Sequence, residues 1–280
     1  MRILVRTSTW AIWARRFGSL ALPLMVIPVL MHRARLIESP EFLVVEIVAA
    51  TSALFAIVLS IGGMGRIWVT GDRGWGRALG GLLFGLISLF PLGYVVSGMV
   101  RNPAVLDVGT TSFEPPGLGY FSAVSDSRPQ VLPGLGPHSY PVDAPQIFAL
   151  AATVVDVEGW EVVSSSPPTD AVGTGQLNAV ATTLLGWRDE VAIRVSGDGA
   201  NTVVDVRSAS LGRTHDLGDN ARRIAAFLTA LDEKVTLYQR DSATPAGTEA
   251  APAPVPQAII PPPTDAESPE DGAPEDSVPD

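Results

Sequence analysis

Cysteine is absent from this chain of 280 residues, lysine occurs only as Lys234, and histidine occurs three times. Without cysteine the protein has no disulfides, no thiolate metal sites, no covalently attached haem and no lipid-modified N-terminal cysteine. The histidines (His32, His138 and His215) show no metal-ligand spacing, and no glycine-rich phosphate loop is present. The sequence therefore predicts neither a metal site nor a cofactor.

Basic residues are also missing from the C-terminal segment 241–280, which holds nine acidic residues and ten prolines. Nine of the ten net negative charges of the chain lie in this segment, so the net charge says nothing about the partners of a folded domain. So few large apolar side chains cannot bury enough surface to offset the entropy lost on ordering. We predict a disordered, acidic, proline-rich tail over 241–280. Basic stretches interleaved with aromatics are confined to the membrane flanks, so we expect no nucleic-acid binding.

Three long runs are almost free of charge, at residues 17–31, 42–63 and 78–99. A bilayer core ~30 Å thick needs about 20 helical residues, which the second and third runs supply. The first run is short and contains Pro23 and Pro28, so a cleavable signal peptide is the alternative. No small-residue cleavage site follows it, and whether it fully crosses the membrane stays open. We predict a three-helix transmembrane region over residues 1–100, with the lipid bilayer as its first partner.

Arginine is distributed unevenly among the loops of this region, and basic residues favour the cytoplasmic side of a membrane. With three spans, seven arginines share one side: Arg2, Arg6, Arg15, Arg16, Arg66, Arg73 and Arg77. Three lie on the other side: Arg33, Arg35 and Arg101. This bias predicts a protein of the inner (plasma) membrane with a cytoplasmic N-terminus, in which everything after the third span is extracytoplasmic.

The remainder of the chain contains one folded unit. Residues 101–137 are rich in proline and glycine without sustained periodicity, so we interpret them as an extended linker. Within 138–240 a helix begins at Asp143 and ends at Gly159, and strand patterns follow at 160–164 and 175–185. A final helix, capped by Asp216, carries an apolar stripe at Leu217, Ala221, Ile224, Leu228, Leu231 and Val235. We expect an α+β fold, a two-layer sandwich of an antiparallel sheet and two helices.

The strongest local pattern is a β-hairpin centred on Asp198-Gly199, a dipeptide that favours two-residue type I′ turns. The flanking positions that alternate are Val191, Ile193 and Val195, then Thr202, Val204 and Val206. A two-residue turn places all six on one face, which is the core face. On the other face it pairs Glu190 directly with Arg207. It also sets Arg194 diagonal to Asp205, and such opposite charges stabilise a sheet.

Four sequence runs stand out, namely Asp107–Pro116, Gly186–Arg194, Asp205–Ser210 and Asp216–Ile224. Together they resemble the family catalogued as domain of unknown function 1499, in which members of this architecture also carry a multi-span N-terminal region. The resemblance covers about residues 1–238 and implies a membrane-anchored domain without an assigned activity. Two positions depart from the family pattern. Leu211 replaces an arginine after Arg-Ser-x-Ser, and Thr111-Ser112 replaces Thr-Asp.

A candidate ligand-binding site lies between the last strand and the final helix, at Arg207, Ser208, Ser210, Arg213 and Asp216. Free backbone N–H groups and the helix dipole favour anions at a helix N-terminus. The alternative is a structural corner, in which Arg207 pairs with Glu190 and the serines satisfy the turn backbone. If the segment binds an anion, Arg213 is expected to be exposed.

Catalysis has one candidate set, in which Ser208 or Ser210 acts with His215 and Asp216. His215 adjoins Asp216 in sequence rather than facing it, and there is no nucleophile-elbow motif. The sequence therefore favours a noncatalytic module of the cell envelope that binds an anionic ligand, a lipid, a cell-wall component or a protein partner. The alternative is a hydrolase-like enzyme that acts on an envelope component, whose catalytic residues the sequence does not identify.

The structure of the domain core distinguishes these alternatives. A cavity lined by Val191, Ile193, Val204 and Ile224 indicates a helix-grip fold that encloses a lipid. A filled core favours a module that binds its partner elsewhere. A buried polar cluster with a strongly perturbed pKa favours an enzyme.

Overall fold

The computed structural model describes residues 6–120, 128–210 and 212–243. Three long helices open the chain, α1 (Thr9–Arg33), α2 (Ser39–Thr70) and α3 (Trp75–Arg101). Each of them is long and apolar enough to cross a membrane. They extend beyond the three apolar runs at both ends, and α1, with 25 residues, is about 37 Å long. The protein is thus a membrane protein with a three-helix N-terminal region.

Small residues bring these helices close together. A Cβ added to Gly81 of α3 would meet the backbone carbon of Ala14 in α1 at 2.6 Å. A Cβ added to Gly85 would meet the carbonyl oxygen of Ala53 in α2 at 2.9 Å. Since real Cβ atoms do not approach that closely, larger side chains at these glycines would push the helices apart.

The soluble part, within the described residues, is an antiparallel sheet covered by two helices. Its strands are β1 (Asp107–Gly109), β2 (His138–Tyr140), β3 (Glu161–Ser166), β4 (Thr174–Thr182), β5 (Arg188–Gly197) and β6 (Thr202–Ser210). They are ordered β1-β6-β5-β4-β3, and β2 also pairs with β6. The helices are α4 (Ala144–Val157) and α5 (Asp219–Ala243). The predicted α+β class is confirmed.

One continuous apolar core fills the space between the sheet and its helices. Val191, Ile193, Val204 and Ile224 are all fully buried in this cluster. Their neighbours include Ile147 and Val154 of α4 and Phe227 and Leu231 of α5. The centre of the sandwich is therefore packed with side chains, as in ordinary protein interiors, at the four positions where a lipid cavity was considered.

The proline- and glycine-rich segment contributes to the sheet. β1 pairs with β6, so the sheet begins upstream of the expected boundary at residue 138. Residues 114–120, which we call the strap, run along the sheet face opposite the helices. The strap carbonyls of Pro116 and Gly117 accept hydrogen bonds from side chains of that face. The tail predicted over 241–280 begins too early, because α5 continues to Ala243, and the remainder of the predicted tail lies outside the described residues.

The β5–β6 hairpin has the predicted core face but a different register. Gly197 pairs with Thr202, so the loop has four residues rather than two. Asp198 Oδ1 accepts hydrogen bonds from the N–H groups of Ala200 and Asn201, and these bonds stabilise the longer loop. They also lower the pKa of Asp198, the Asn201 bond contributing most. A shift of two residues preserves the faces, which is why the pattern of buried side chains was predicted correctly.

The charge pairs change with the register. Glu190 lies opposite Ala209 and Arg207 lies opposite Ala192, so the predicted direct pairing of Glu190 with Arg207 is wrong. Arg194 lies directly opposite Asp205 rather than diagonal to it, and their side chains form an ion pair of 2.8 Å.

The observed register predicts that Arg194 and Asp205 stabilise the sheet together. A double-mutant cycle with alanine at both positions is expected to show a favourable coupling of about 0.5–1 kcal/mol, because the arginine is partly exposed. The measurement is the free energy of unfolding of the wild type, the two single variants and the double variant. Zero coupling would contradict the observed register.

Candidate functional site

The β4–β5 loop, residues 183–187, is fixed to the first membrane loop. His32 Nδ1, at the end of α1, donates a hydrogen bond of 2.7 Å to the carbonyl oxygen of Leu185. The Arg33 guanidinium donates to the two preceding carbonyl oxygens at 2.9 and 3.3 Å. Three backbone acceptors of one loop are therefore bound by the residues that end the first span.

Aromatic rings reinforce this contact. The His32 ring, 7% exposed as a residue, stacks on Phe42 of α2 with centroids 4.6 Å apart. Trp187 meets both rings edge-on. Gly186, with φ of +95°, lets the loop pass close by, since a Cβ there would lie 2.9 Å from the Arg33 nitrogen.

A second contact joins the domain to the third span through Leu217. This residue has φ of +60°, an unusual conformation for a branched side chain. Its N–H donates to His215 Nδ1, and its carbonyl accepts from Asn102 at the end of α3. Its side chain packs on Gly98, where an added Cβ would lie 3.2 Å from Leu217 Cβ. The strained backbone is thus held by contacts on both sides of the docking interface.

Leu217 and the start of α5 differ from the sequence prediction. The helix begins at Asp219, so Leu217 is not part of its apolar stripe. Asp216 still caps the helix start, since its carboxylate accepts from the N–H groups of Gly218 and Asn220. The expected role of Asp216 is therefore observed, with the helix starting a few residues later.

Next to this docking contact, the soluble domain contains a buried network of charged side chains. Asp189, which is fully buried, accepts hydrogen bonds from Arg213 at 2.7 Å and Arg223 at 2.8 Å through the same oxygen, Oδ2. Arg213 also donates to Ser210 and forms an ion pair of 3.0 Å with Asp219. Two guanidinium groups therefore share one buried carboxylate.

Polar side chains extend this network towards β6. Ser208 Oγ donates to Asn220 Oδ1 at 2.8 Å and accepts from Arg223 at 2.9 Å. The Asn220 amide nitrogen donates to Ser210 Oγ. Each of the two serines is thus bound by side chains of α5 rather than by turn backbone. We refer to Asp189, Ser208, Ser210, Arg213, Asp219, Asn220 and Arg223 as the Asp189 network.

Of the five predicted ligand-binding residues, four lie together and one does not. Ser208, Ser210 and Arg213 belong to the Asp189 network, and Asp216 caps the helix beside it. Arg207 lies on the opposite face of the sheet, because successive residues of a strand alternate. There it binds Asp107 with two hydrogen bonds of 2.7 and 3.0 Å.

Arg213 is buried rather than exposed as expected, since only 4% of its side chain is accessible. Its cationic charge is matched by Asp189 and Asp219. Arg213→Ala is therefore expected to destabilise the fold, because it leaves the buried Asp189 carboxylate with one cation fewer.

The residues of the candidate catalytic set are not arranged for catalysis. His215 Nδ1 accepts from the N–H of Leu217, and it lies 3.9 Å from Asp216 Oδ1. Among the described residues, no hydrogen bond joins His215 to Ser208 or Ser210. A general base that does not reach the hydroxyl cannot activate it.

Two buried N–H donors near the Asp189 network have no partner in the described part of the chain. They are Arg213 Nε and Trp187 Nε1, and the arginine carbon Cζ lies 5.8 Å from the tryptophan ring centre. A desolvated donor without an acceptor costs about 1–3 kcal/mol. These two donors favour the binding of a group that supplies acceptor oxygens, whereas Asp189 Oδ1, which is also buried without a partner among the described residues, needs a donor.

Both of these residues line a groove of about 550 Å³ between α3 and the soluble domain. Its apolar walls come from Phe90, Pro91, Tyr94, Trp160, Leu184, Leu185 and Leu217. Its charged wall comes from Arg213, Arg222 and Arg223 with Asp219, and Glu158 also borders it. The groove thus combines membrane-span residues with an arginine-rich wall.

A separate polar cluster joins β2 to α5. The Tyr140 hydroxyl donates a hydrogen bond of 2.6 Å to Asp232, and His138 Nδ1 lies 3.1 Å from the same oxygen. Burial raises the pKa of Tyr140 well above its usual 10.0, and the Asp232 carboxylate raises it further. The phenol therefore stays protonated and acts as a donor that clamps the strand to the helix.

Tyr140→Phe is expected to cost about 1–2 kcal/mol of unfolding free energy at pH 7, because it leaves Asp232 without this donor. A raised pKa in the folded state contributes stability that is complete below pH 10 and lost as pH rises further. The difference in unfolding free energy between the wild type and Tyr140→Phe is therefore expected to become smaller above pH 10. Tyr238→Phe, on the same helix, is the control. If this difference in unfolding free energy does not change with pH, the Tyr140 hydroxyl is not the donor that stabilises this contact.

Sequence reasoning missed Asp189, Asn220, Arg223 and Asp107 as members of these networks. All four lie in the runs Asp107–Pro116, Gly186–Arg194 and Asp216–Ile224 that were singled out. The signal was therefore present, but sequence alone did not show which side chains meet.

Residues 122–231 match the model of a family described as "Protein of unknown function (DUF1499)". The match covers β2 to β6, α4 and the first part of α5, and over these residues it confirms the resemblance found in the sequence. No curated protein matches the chain.

Proposed function

We propose that this membrane protein, whose soluble domain carries the match to the family of unknown function DUF1499, is a noncatalytic binding module of the cell envelope. Its soluble domain lies on the extracytoplasmic side of the inner (plasma) membrane and binds an anionic ligand at the membrane boundary. The observation that carries this proposal is the groove that unites the third span with the Asp189 network.

Position in the membrane supports a ligand that belongs to the bilayer. About 20 helical residues cross the hydrocarbon core. Counting from Trp75, an interfacial residue at the start of α3, places the far boundary near Tyr94. The groove is lined by Phe90, Pro91 and Tyr94 on one side, so it opens at the level where acyl chains meet headgroups.

The orientation rests on the arginine bias and on the docking contacts. The bias assigns the first loop and the end of α3 to the extracytoplasmic side. His32 and Arg33 at the end of α1 and Asn102 after α3 all contact the soluble domain, as a domain on that same side requires. A reporter that is active only outside the cytoplasm is expected to be active when fused at Gly247. Activity of a cytoplasmic reporter there would contradict the orientation.

A photo-crosslinking amino acid at Leu184 tests the function. This side chain lines the groove and is 80% exposed, so the probe is not expected to disturb folding. In native membranes we expect it to capture lipid. The matched control is Val172, which is also exposed but precedes β4, at the other end of that strand from Leu184. Equal capture of lipid from both positions, capture of no lipid, or capture of a protein alone would contradict the proposal.

A further inference from the structure

We propose that the groove between α3 and the soluble domain is a binding site for one anionic phospholipid. This inference rests on the proposed function and names the ligand of that same site. The headgroup phosphate lies at the arginine wall, and one acyl chain lies along α3.

The apolar half of the groove fits an acyl chain. Phe90 and Tyr94 are one helical turn apart on α3 and are 77% and 59% exposed. Leu184 of the soluble domain faces the same groove and is also mostly exposed. Apolar side chains at the membrane boundary are stabilised by about 25 cal/mol for each Å² of their surface that is removed from water. At this depth a lipid chain covers them.

The charged half fits a phosphate. Arg222 is more than half exposed, and one of its nitrogens binds Asp219 at 2.6 Å. Arg213 and Arg223 are held in place by Asp189, so their orientation is set before a ligand arrives. Arginine binds phosphate oxygens in a fixed fork geometry, and preordered side chains lose little entropy on binding.

The unpartnered donors give an independent reason to expect an acceptor. Arg213 Nε is buried without a hydrogen bond among the described residues, and so is Trp187 Nε1. Both residues line the groove. A phosphate that carries several acceptor oxygens supplies what these donors lack, whereas a purely apolar ligand or a cation does not.

The lipid class follows from the balance of charge. Asp189 and Asp219 together offset two of the three arginines, and Glu158 lies at the border of the groove. The three arginines exceed the two acids that pair with them by one charge, since no ion pair joins Glu158 to them among the described residues, and Arg222 is the most exposed of the three. A phospholipid with one net negative charge fits this excess. We accordingly expect phosphatidylglycerol to bind more tightly than the zwitterionic phosphatidylcholine.

Two neighbouring alanines on α5 provide a matched test. Ala226 is exposed and lines the groove, whereas Ala225 is exposed but does not line it. Ala226→Trp fills the groove without changing any charge. Ala225→Trp adds the same side chain to the same helix on a different side.

Native mass spectrometry of the full-length protein, titrated with phosphatidylglycerol in detergent, measures the binding. We expect one tightly held lipid on the wild type and on Ala225→Trp, and none on Ala226→Trp at the same concentration. Arg222→Gln is expected to weaken binding about fivefold, as the loss of one surface cation does. Phosphatidylcholine is expected to bind more weakly, and inorganic phosphate alone is expected not to displace the lipid, because it lacks the chain.

Equal lipid retention by both tryptophan variants would mean that only lipid around the spans is detected, and the groove proposal would be overturned. Lipid capture at Leu184 in membranes would then still support a boundary-binding module. Displacement by inorganic phosphate would instead assign the site to a free anion and overturn the lipid assignment. Crosslinking of a protein alone at Leu184 would overturn the proposed function itself.

Discussion

Asp189→Asn is expected to lower the unfolding free energy of the soluble domain by about 3–5 kcal/mol. The substitution keeps the shape of the side chain but removes the charge that Arg213 and Arg223 share. Two buried or nearly buried guanidinium groups then lose a common partner. Removing one member of a buried pair costs more than the pair contributes, because it leaves an uncompensated charge.

The measurement is denaturant unfolding of the full-length protein in detergent, followed by the fluorescence of the tryptophans. Glu233→Gln, an exposed substitution on α5, is the control and is expected to change stability by less than about 0.5 kcal/mol. A loss below about 1 kcal/mol for Asp189→Asn would show that the two arginines do not depend on this carboxylate.

Arg207→Met is expected to cost a similar amount, for a reason on the opposite face of the sheet. Arg207 is 1% exposed and binds Asp107 through two parallel hydrogen bonds. It also donates to the carbonyl of Pro116 in the strap. Arg207→Met removes both hydrogen bonds to the nearly buried Asp107 carboxylate and the hydrogen bond to the strap. We therefore expect the free energy of unfolding to fall by about 3–5 kcal/mol.

A double-mutant cycle separates the pair from its surroundings. The variant Asp107→Ala with Arg207→Met is expected to be less destabilised than the sum of the two single variants, with a coupling of about 2 kcal/mol. Arg207→Lys is expected not to restore stability, because an ammonium cannot form the two parallel bonds. Additive single effects would contradict the pairing of Arg207 with Asp107.

Local patterns in the sequence predicted the elements that depend on neighbouring residues. The alternation of Val191, Ile193 and Val195 placed the core face of β5 correctly, since the side-chain period of a strand is fixed. The apolar stripe of α5 from Ala221 to Val235 was likewise correct, because a helical period of 3.6 is equally local. The three spans followed from length and hydropathy alone.

The hairpin register and the helix start were missed because they depend on single side chains. Asp198 binds the N–H groups of the next residues and lengthens the turn to four, which the Asp-Gly dipeptide did not reveal. Leu217 appeared to continue a helical stripe, yet it packs on Gly98, a residue 119 positions earlier. Contacts of such long range leave no periodic trace.

The position of the candidate site in the sequence was predictable, but the side chains that complete it were not. The segment from Arg207 to Asp216 was singled out because polar residues exceed what a strand-to-helix connection needs. Its partners were not identified, since Asp189 and Arg223 reach it only in the folded chain. Arg207 was placed on the correct face of the sheet by strand alternation, but its grouping with Ser208 and Ser210 was wrong, because those serines point to the opposite face.

The central claim is that the soluble domain docks on the end of the third span and so forms the boundary groove. Because the chain has no native cysteine, an engineered pair reports this contact directly. A Cβ at position 98 would lie 3.2 Å from Leu217 Cβ, close to the spacing of about 3.5–4.5 Å in a disulfide. Gly98→Cys with Leu217→Cys is therefore expected to form an intramolecular disulfide in native membranes under mild oxidation. The control, Val100→Cys with Leu217→Cys, is expected to stay reduced, since Val100 is 83% exposed. No disulfide at position 98, or equal oxidation of both pairs, would contradict the docking of the domain on the membrane helices.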